Sequence, residues 1–152
     1  NGEIVRFVAT HLQSNGISSR DYHKLVKVEI DDVGYKNYAV NFIRKLKILI
    51  QRRSNQTNTV LEAIEDSPYP VVILGDFNDT PMSYTYQQLK EGRQDAFIEK
   101  GSGWGATYLK PFRMLRIDYI LHDPELECLS YKYTTATKSD HALIEASFKI
   151  KK

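Results

Sequence analysis

Sulfur chemistry is nearly absent from this chain. One cysteine, Cys128, stands among 152 residues, which excludes an internal disulfide and a zinc cluster built from several cysteines. No apolar run approaches the length that crosses a bilayer. A surplus of one charge is missing too. Lys and Arg number 21 against 19 Asp and Glu, and a formal +2 does not by itself argue for a nucleic-acid partner. Nor is there a stretch of interleaved basic and aromatic residues of the kind that tracks a nucleic-acid strand. An initiator Met and a signal peptide are lacking: Asn1-Gly2 leads directly into the apolar run Ile4 to Ala9. The sequence therefore reads as a piece whose upstream part has been removed. The hydrophobic content of 41% beside 26% charged residues excludes a disordered chain and fits a single domain of ordinary size.

What is there is organised around Val71-Val72-Ile73-Leu74-Gly75-Asp76-Phe77-Asn78-Asp79-Thr80-Pro81. Four apolar residues, rich in β-branching, predict a strand buried on both faces. Gly75 ends the run and permits close backbone packing. Asp76 and Asn78 follow where the strand gives out, the place where open α/β sheets hold their ligands. Side chains two apart on an extended backbone point the same way, so these two are expected to face one substrate. Asp79, Thr80 and Pro81 predict a turn that starts a helix over Met82 to Leu89, with Asp79 or Thr80 as its cap.

The flanking elements can be taken in chain order. Glu3 to Thr10 predicts a strand with His11 at its end. Gln13 to Asp21 predicts a polar loop, and Tyr22 to Ile30, with His23, a surface stretch. Asn37 to Glu65 carries neither Pro nor Gly. There Leu46, Ile50, Thr57, Val60, Leu61 and Ile64 share a helical face, with Phe42, Ile43 and Leu49 beside it. One long helix or two abutting ones are expected, stopped at Ser67-Pro68. Arg44, Lys45, Lys47, Arg52 and Arg53 form a basic outer face, read as a solvated face ahead of a phosphate- or membrane-binding one. Asp95-Ala96-Phe97 opens a further element. Gly101, Gly103 and Gly105 bracket Trp104 in a loop whose spacing is not that of a dinucleotide-binding turn. Trp104 either stacks on a substrate or closes a core edge, and Thr107-Tyr108 returns to strand character. Leu115 to Leu121 and Glu125 to Tyr133 predict strands, and Ala142 to Ile150 a last one. Asp118, set among Ile117, Tyr119, Ile120 and Leu121, needs a cation or donor, for which a histidine is suitable.

His11, Asp76, Asn78, Asp118, Asp140 and His141 thus all lie at or beside strand ends. Hard oxygen ligands suit Mg²⁺, with Mn²⁺ as the alternative. Hydrolysis of a phosphate ester needs a metal, an activated water and donors to the phosphoryl oxygens, and this set could supply each part.

Four segments in this order carry a specific resemblance: Thr10-His11-Leu12, Gly75-Asp76-Phe77-Asn78, Arg116-Ile117-Asp118-Tyr119-Ile120-Leu121 and Ser139-Asp140-His141. Together they resemble the carboxyl-terminal motifs of the endonuclease/exonuclease/phosphatase superfamily, and they span almost the whole chain. The resemblance implies half of a four-layer α/β sandwich of the deoxyribonuclease I type, a mixed β-sheet flanked by helices. It implies that residues 1–152 are the carboxyl-terminal part of one domain whose amino-terminal half is absent. It implies that Asp76 positions or deprotonates the attacking water and that Asn78 donates to the phosphoryl group. His141 would contact the phosphate or act as acid/base, oriented by Asp118. Asp140 would bind metal and His11 would donate to a phosphate oxygen.

The expected activity is that of a metal-dependent phosphoesterase acting on nucleic acid, a sugar phosphate or a phospholipid, with this chain an inactive fragment. The alternative is a non-catalytic binding or scaffolding module that keeps the fold. The family's metal-binding Glu and an Asn on the first strand belong to the absent half. The last strand, placed by the family in the sheet built mainly by that half, should have lost its partners, so the fragment is expected to self-associate or to unpair that strand.

Overall fold

β2 (Val71–Asp76) is the hub of a four-stranded sheet. A computed structural model describes residues 2–14, 32–109, 115–135 and 138–151, with residues 32–38 described by backbone alone. On one side of β2 lies β1 (Arg6–His11), parallel, in a register that runs from Arg6 beside Val71 to His11 beside Asp76. On the other lies β4 (Asp118–His122), antiparallel, with His122 opposite Val72 and Asp118 opposite Asp76. The short β3 (Gln94–Asp95) pairs with β4, giving the order β1-β2-β4-β3. This register makes the carboxyl ends of β1 and β2 and the amino end of β4 finish level, bringing His11, Asp76 and Asp118 to one edge.

Alternation along β2 and β4 divides the core in two. Val71, Ile73, Tyr119 and Leu121 pack with Leu12, Ile64, Phe77, Tyr86 and Leu89 on one face. That face is covered by α1 (Asp32–Ile64) and α2 (Tyr84–Lys90). Val72 and Ile120 pack on the other with Ala96, Leu126 and Cys128. Here lie α3 (Ala96–Lys100), β5 (Leu126–Thr135) and β6 (Ala142–Ile150). The expected burial of the central strand on both faces holds from Val71 to Ile73, and Leu74 is half-buried. Among the described residues no helix is long and apolar enough to cross a membrane.

Several expectations need correction. α1 is one continuous helix, but its buried line runs through Leu49, Arg53, Thr57 and Ile64, while Ile43 and Ile50 are exposed. Arg53, assigned to the basic outer face, is 2% exposed: its Nε donates to Asp79 Oδ2 at 3.1 Å and its Nη1 to the Gln13 carbonyl at 3.0 Å. A charge can turn inward here because an opposite charge and a carbonyl receive it. Asp79 Oδ1 accepts from the Thr80 amide at 3.1 Å and caps no helix. Ser83 caps α2 instead, accepting from the Tyr86 amide at 3.2 Å, and the helix starts at Tyr84 rather than Met82. β1 begins at Arg6, where the Arg6 amide donates to Pro70 O at 2.9 Å, and not at Glu3. β4 is shorter than Leu115 to Leu121; Leu115 makes only an isolated bridge with Tyr108.

The last strand is also differently placed. β6 spans Ala142 to Ile150 as expected, yet it has not lost its partners: β5 pairs with it antiparallel along its whole length. A single strand was expected in the second sheet, and two are there. The expected loop beyond Ser14 and the stretch holding His23 lie outside the described residues.

One buried polar knot ties α2, β3, α3 and β4 together. Arg116 Nη1 meets Asp95 Oδ2 at 2.6 Å, and the Tyr86 hydroxyl donates to the same oxygen at 2.8 Å. Asp95 Oδ1 accepts from the Phe97 amide at 2.9 Å and so caps α3. The guanidinium lies 4.7 Å from the Phe97 ring centroid and 4.8 Å from that of Tyr119. Burial, with Asp95 beside it, raises the Tyr86 phenol far above its ordinary range, so it stays a donor. Replacing Arg116 by Met is expected to cost about 3 kcal/mol or more, because it leaves the Asp95 carboxylate buried without its cation. Urea unfolding midpoints measure this, and a loss below about 1 kcal/mol would mean that the knot is dispensable.

Candidate functional site

Three elements deliver the polar cluster. β1 approaches β2 closely at Gly75, where φ is +133° and a Cβ would overlap the Thr10 carbonyl oxygen. Only glycine fits such a position without displacing β1. Pairing continues past the strand, with the Leu12 amide donating to Asp76 O at 2.9 Å. Beyond Asp76 the chain turns sharply. Phe77 is buried against Tyr119, with ring centroids 4.8 Å apart, and Asn78 takes φ +51°. Asparagine is among the residues that tolerate this left-handed conformation.

The turn changes the geometry expected for Asp76 and Asn78. They do not share a face by extended alternation. The chain folds back so that the Asn78 amide donates to Asp76 Oδ1 at 2.7 Å and Asn78 Nδ2 to Asp76 Oδ2 at 3.0 Å. Nδ2 also donates to Leu12 O at 2.9 Å, tying the turn to the end of β1. Asn78 thus grips both oxygens of the carboxylate. His11 extends over the same group, Nε2 lying 3.7 Å from Asp76 Oδ2, with its side chain 77% exposed.

Asp118 enters from β4, and His141 from the residue before β6. Asp118 Oδ2 accepts from His141 Nδ1 at 2.9 Å. A carboxylate only accepts, so Nδ1 carries a proton. Nε2 of the same ring lies 4.0 Å from Asp76 Oδ2. The Tyr108 ring packs edge-on against the imidazole, centroids 5.1 Å apart, and the Ser139 hydroxyl accepts from the His141 amide at 3.0 Å. Burial pushes the Asp76 carboxyl above the usual carboxylate range, and Asp118 adds to this. The Asn78 amide, His141 and His11 pull the other way.

The ligand atoms of Asp76, Asp118 and His141 all lie within 4.8 Å of one another, a spacing that one metal ion could bridge. Two carboxylates crowded at one strand end, one of them raised by burial, fit the charge of a divalent cation. Asp140 is exposed and its carboxylate is not in that group; its carbonyl accepts from the Leu109 amide at 2.7 Å. Trp104 is 82% exposed and so does not close a core edge.

Sequence reasoning passed over Thr107, noting only its strand character. Fully buried, its hydroxyl oxygen accepts from the amides of both Ile117 and Asp118 at 3.0 Å. Its carbonyl accepts from the Ala142 amide at 2.7 Å. Thr107 therefore fixes the start of β4 to the start of β6, and with them Asp118 to His141. A threonine in a strand-like stretch is ordinary, and nothing in the sequence marks this one.

The sequence matches the model of the endonuclease/exonuclease/phosphatase family over residues 38–141, more than half of the chain. The chain belongs to that family. Asp76, Asn78, Asp118, Asp140 and His141 all fall inside the matched interval, and His11 precedes it. Among solved structures, a conserved protein of unknown function from Enterococcus faecalis is 20% identical with a TM-score of 0.55, covering 67% of this chain and 46% of that one. An endonuclease/exonuclease/phosphatase from Beutenbergia cavernae is 17% identical with a TM-score of 0.56, over 68% of this chain and 32% of that one. Another from Bacteroides vulgatus is 19% identical with a TM-score of 0.54, over 66% and 45%. These likenesses show a shared mixed α/β fold, and the chain spans less than half the length of each of the three structures. No curated protein sequence matches the chain.

Thr107→Val removes one acceptor and leaves two buried amides unsatisfied, at about 1–3 kcal/mol each. The expected result is a clear loss of stability in chemical denaturation, largely restored by Thr107→Ser. An unchanged unfolding midpoint would show that the two amides find other partners.

Proposed function

We propose that this chain is the carboxyl-terminal part of a metal-dependent phosphoesterase that attacks a phosphodiester or phosphomonoester with an activated water. The observation that carries the reading is the Asp118–His141 hydrogen bond of 2.9 Å, which turns His141 Nε2 toward Asp76 at the level end of three strands. Family membership supports the phosphoester chemistry. Asp76 orients the attacking water or takes its proton. His141 hands a proton to or from the phosphate through Nε2, while Asp118 keeps its tautomer and direction. Asn78 holds Asp76 in place; its two side-chain N–H groups already go to Leu12 O and Asp76 Oδ2, so the donation to the phosphoryl group that the resemblance implies would require one of them to be released. His11, exposed above Asp76, donates to a second phosphate oxygen.

The residues fit a hard divalent cation, Mg²⁺ with Mn²⁺ as the alternative. Asp76 and Asp118 would hold it from within the cluster; Asp140, the metal ligand that the resemblance implies, is not among the grouped ligand atoms. When bound, such an ion neutralises the phosphate and lowers the pKa of a coordinated water. The substrate is a phosphate ester: nucleic acid, sugar phosphate or phospholipid. The formal charge of +2 weighs against a dedicated duplex-DNA enzyme.

The reading includes a part upstream of this chain that supplies a further acidic ligand. Two features support it. The chain spans 46%, 32% and 45% of the three solved structures named above. A groove of about 560 Å³ lies open between the two sheets, lined by Val5, Phe7, Leu74, Ile144, Phe148 and Ile150 among others, and Phe7 is 65% exposed. Such an apolar face needs cover. Without its upstream part the chain is expected to bind Mg²⁺ poorly, to hydrolyse nothing and to self-associate through this groove.

In the longer protein, Asp76→Ala or His141→Ala is expected to lower turnover of a generic phosphodiester or phosphomonoester by about two orders of magnitude or more, with circular dichroism unchanged. Magnesium removal by a chelator should abolish the rate. A folded variant that keeps a near-normal rate would remove that residue from the mechanism. A monomeric 152-residue chain with metal-dependent hydrolysis would overturn the upstream part.

A further inference from the structure

At the far end of β4 from Asp118 sits a second group of ligating side chains. Four residues along the strand, about 13 Å at the usual rise, His122 lies opposite Val72 with its side chain fully buried. The ligand atoms of His122, Glu99 and Cys128 all lie within 4.8 Å of one another. They come from three different elements: Glu99 from α3, His122 from β4 and Cys128 from β5. We propose that Glu99, His122 and Cys128 form a zinc-class metal site that clips α3 and the four-stranded sheet to the β5-β6 pair.

The imidazole is already oriented for such a role. Its Nδ1 lies 3.1 Å from the Asp123 carbonyl, which can only accept, so Nδ1 carries the proton. This is the second contact that metal-bound histidines usually make, and it leaves the Nε2 lone pair as ligand. Nε2 points at Glu99 Oε2, 3.0 Å away. A lone pair and a carboxylate oxygen at that separation require an electrophile between them, a proton or a metal ion. Ligand bonds of about 2.0–2.1 Å to nitrogen and 2.0–2.2 Å to oxygen at a tetrahedral angle set the two ligand atoms a little over 3 Å apart, so little movement is needed.

Cys128 supplies the third ligand and selects the metal. It is 2% exposed, and its Sγ has a long contact of 3.6 Å to the Ser130 carbonyl. The thiolate, not the thiol, is the metal ligand, so binding releases the Cys128 proton to solvent. A set of one sulfur, one nitrogen and one oxygen suits Zn²⁺ and disfavours Mg²⁺. The Phe148 ring, 4.7 Å from that of His122, closes the inner side. Entry is from the Glu99 side, where the carboxylate side chain is 30% exposed. A solvent molecule would complete four-coordination there. The site is separate from the Asp76 cluster and is independent of the proposed phosphoesterase activity.

Because Cys128 is the chain's single cysteine, a thiolate signal reports this site alone. The experiment is titration of the reduced protein with Co²⁺, followed by displacement with Zn²⁺. The expected result is a cobalt–thiolate charge-transfer band that saturates at one equivalent and is bleached by one equivalent of Zn²⁺. Cys128→Ser should abolish the band. Glu99→Gln, at the exposed rim and so compatible with folding, should weaken Zn²⁺ displacement of the band at least tenfold, and Asp76→Asn should leave the band unchanged. Absence of the band in the unmodified protein would overturn the proposal, as would Zn²⁺ displacement of the band unaltered by Glu99→Gln.

Discussion

The register of β2 against its two neighbours is the constraint on which the rest of this structure depends. A one-residue slip of β4 would turn Asp118 to the other face and bury it without a partner. A slip of β1 would carry His11 away from Asp76. The register is held by apolar alternation on both faces of β2 and β4, and by the close approach at Gly75 that no larger residue permits. The level strand ends, and with them the polar cluster, result from packing that has no functional content of its own.

Around this hub the structure fixes its edges with buried polar contacts. Arg53 reaches from α1 to Asp79 and to the chain after β1, so the helix anchors both segments that flank Asp76. Arg116, immediately before the strand segment that bears Asp118, is locked by Asp95 and by aromatic rings. Thr107 ties the starts of β4 and β6 through three backbone contacts. Each anchor grips, or is itself, a residue within three positions of a member of the cluster. The cost of ordering charged and polar groups in the interior is met where the geometry of Asp76, Asp118 and His141 matters.

The sequence made the central strand, the long helix, the last strand and the polar residues at strand ends legible, because each rests on local pattern: a β-branched run, a helical period, an alternation. What it concealed is non-local. Arg53 carries the signature of a solvated helix face, and only the distant Asp79 turns it inward. Asn78 comes after Asp76 at a strand spacing, and only its positive φ shows that the two grip one another. Ser83 rather than Asp79 caps α2 because the helix starts only at Tyr84, five residues beyond Asp79. The pairing of β6 with β5 was missed for a different reason: strands consecutive in sequence usually pair, and the family resemblance, which gave β6 its partners in an absent half, overrode that expectation.

The central claim is that Asp118 holds His141 with Nε2 turned to Asp76. Nitrogen-15 NMR of the His141 ring tests it most directly. The account predicts that Nδ1 carries a proton slow to exchange, and that this protection is lost in Asp118→Asn. A ring whose Nδ1 carries no proton, or an Nδ1 proton whose exchange Asp118→Asn leaves unchanged, would contradict it.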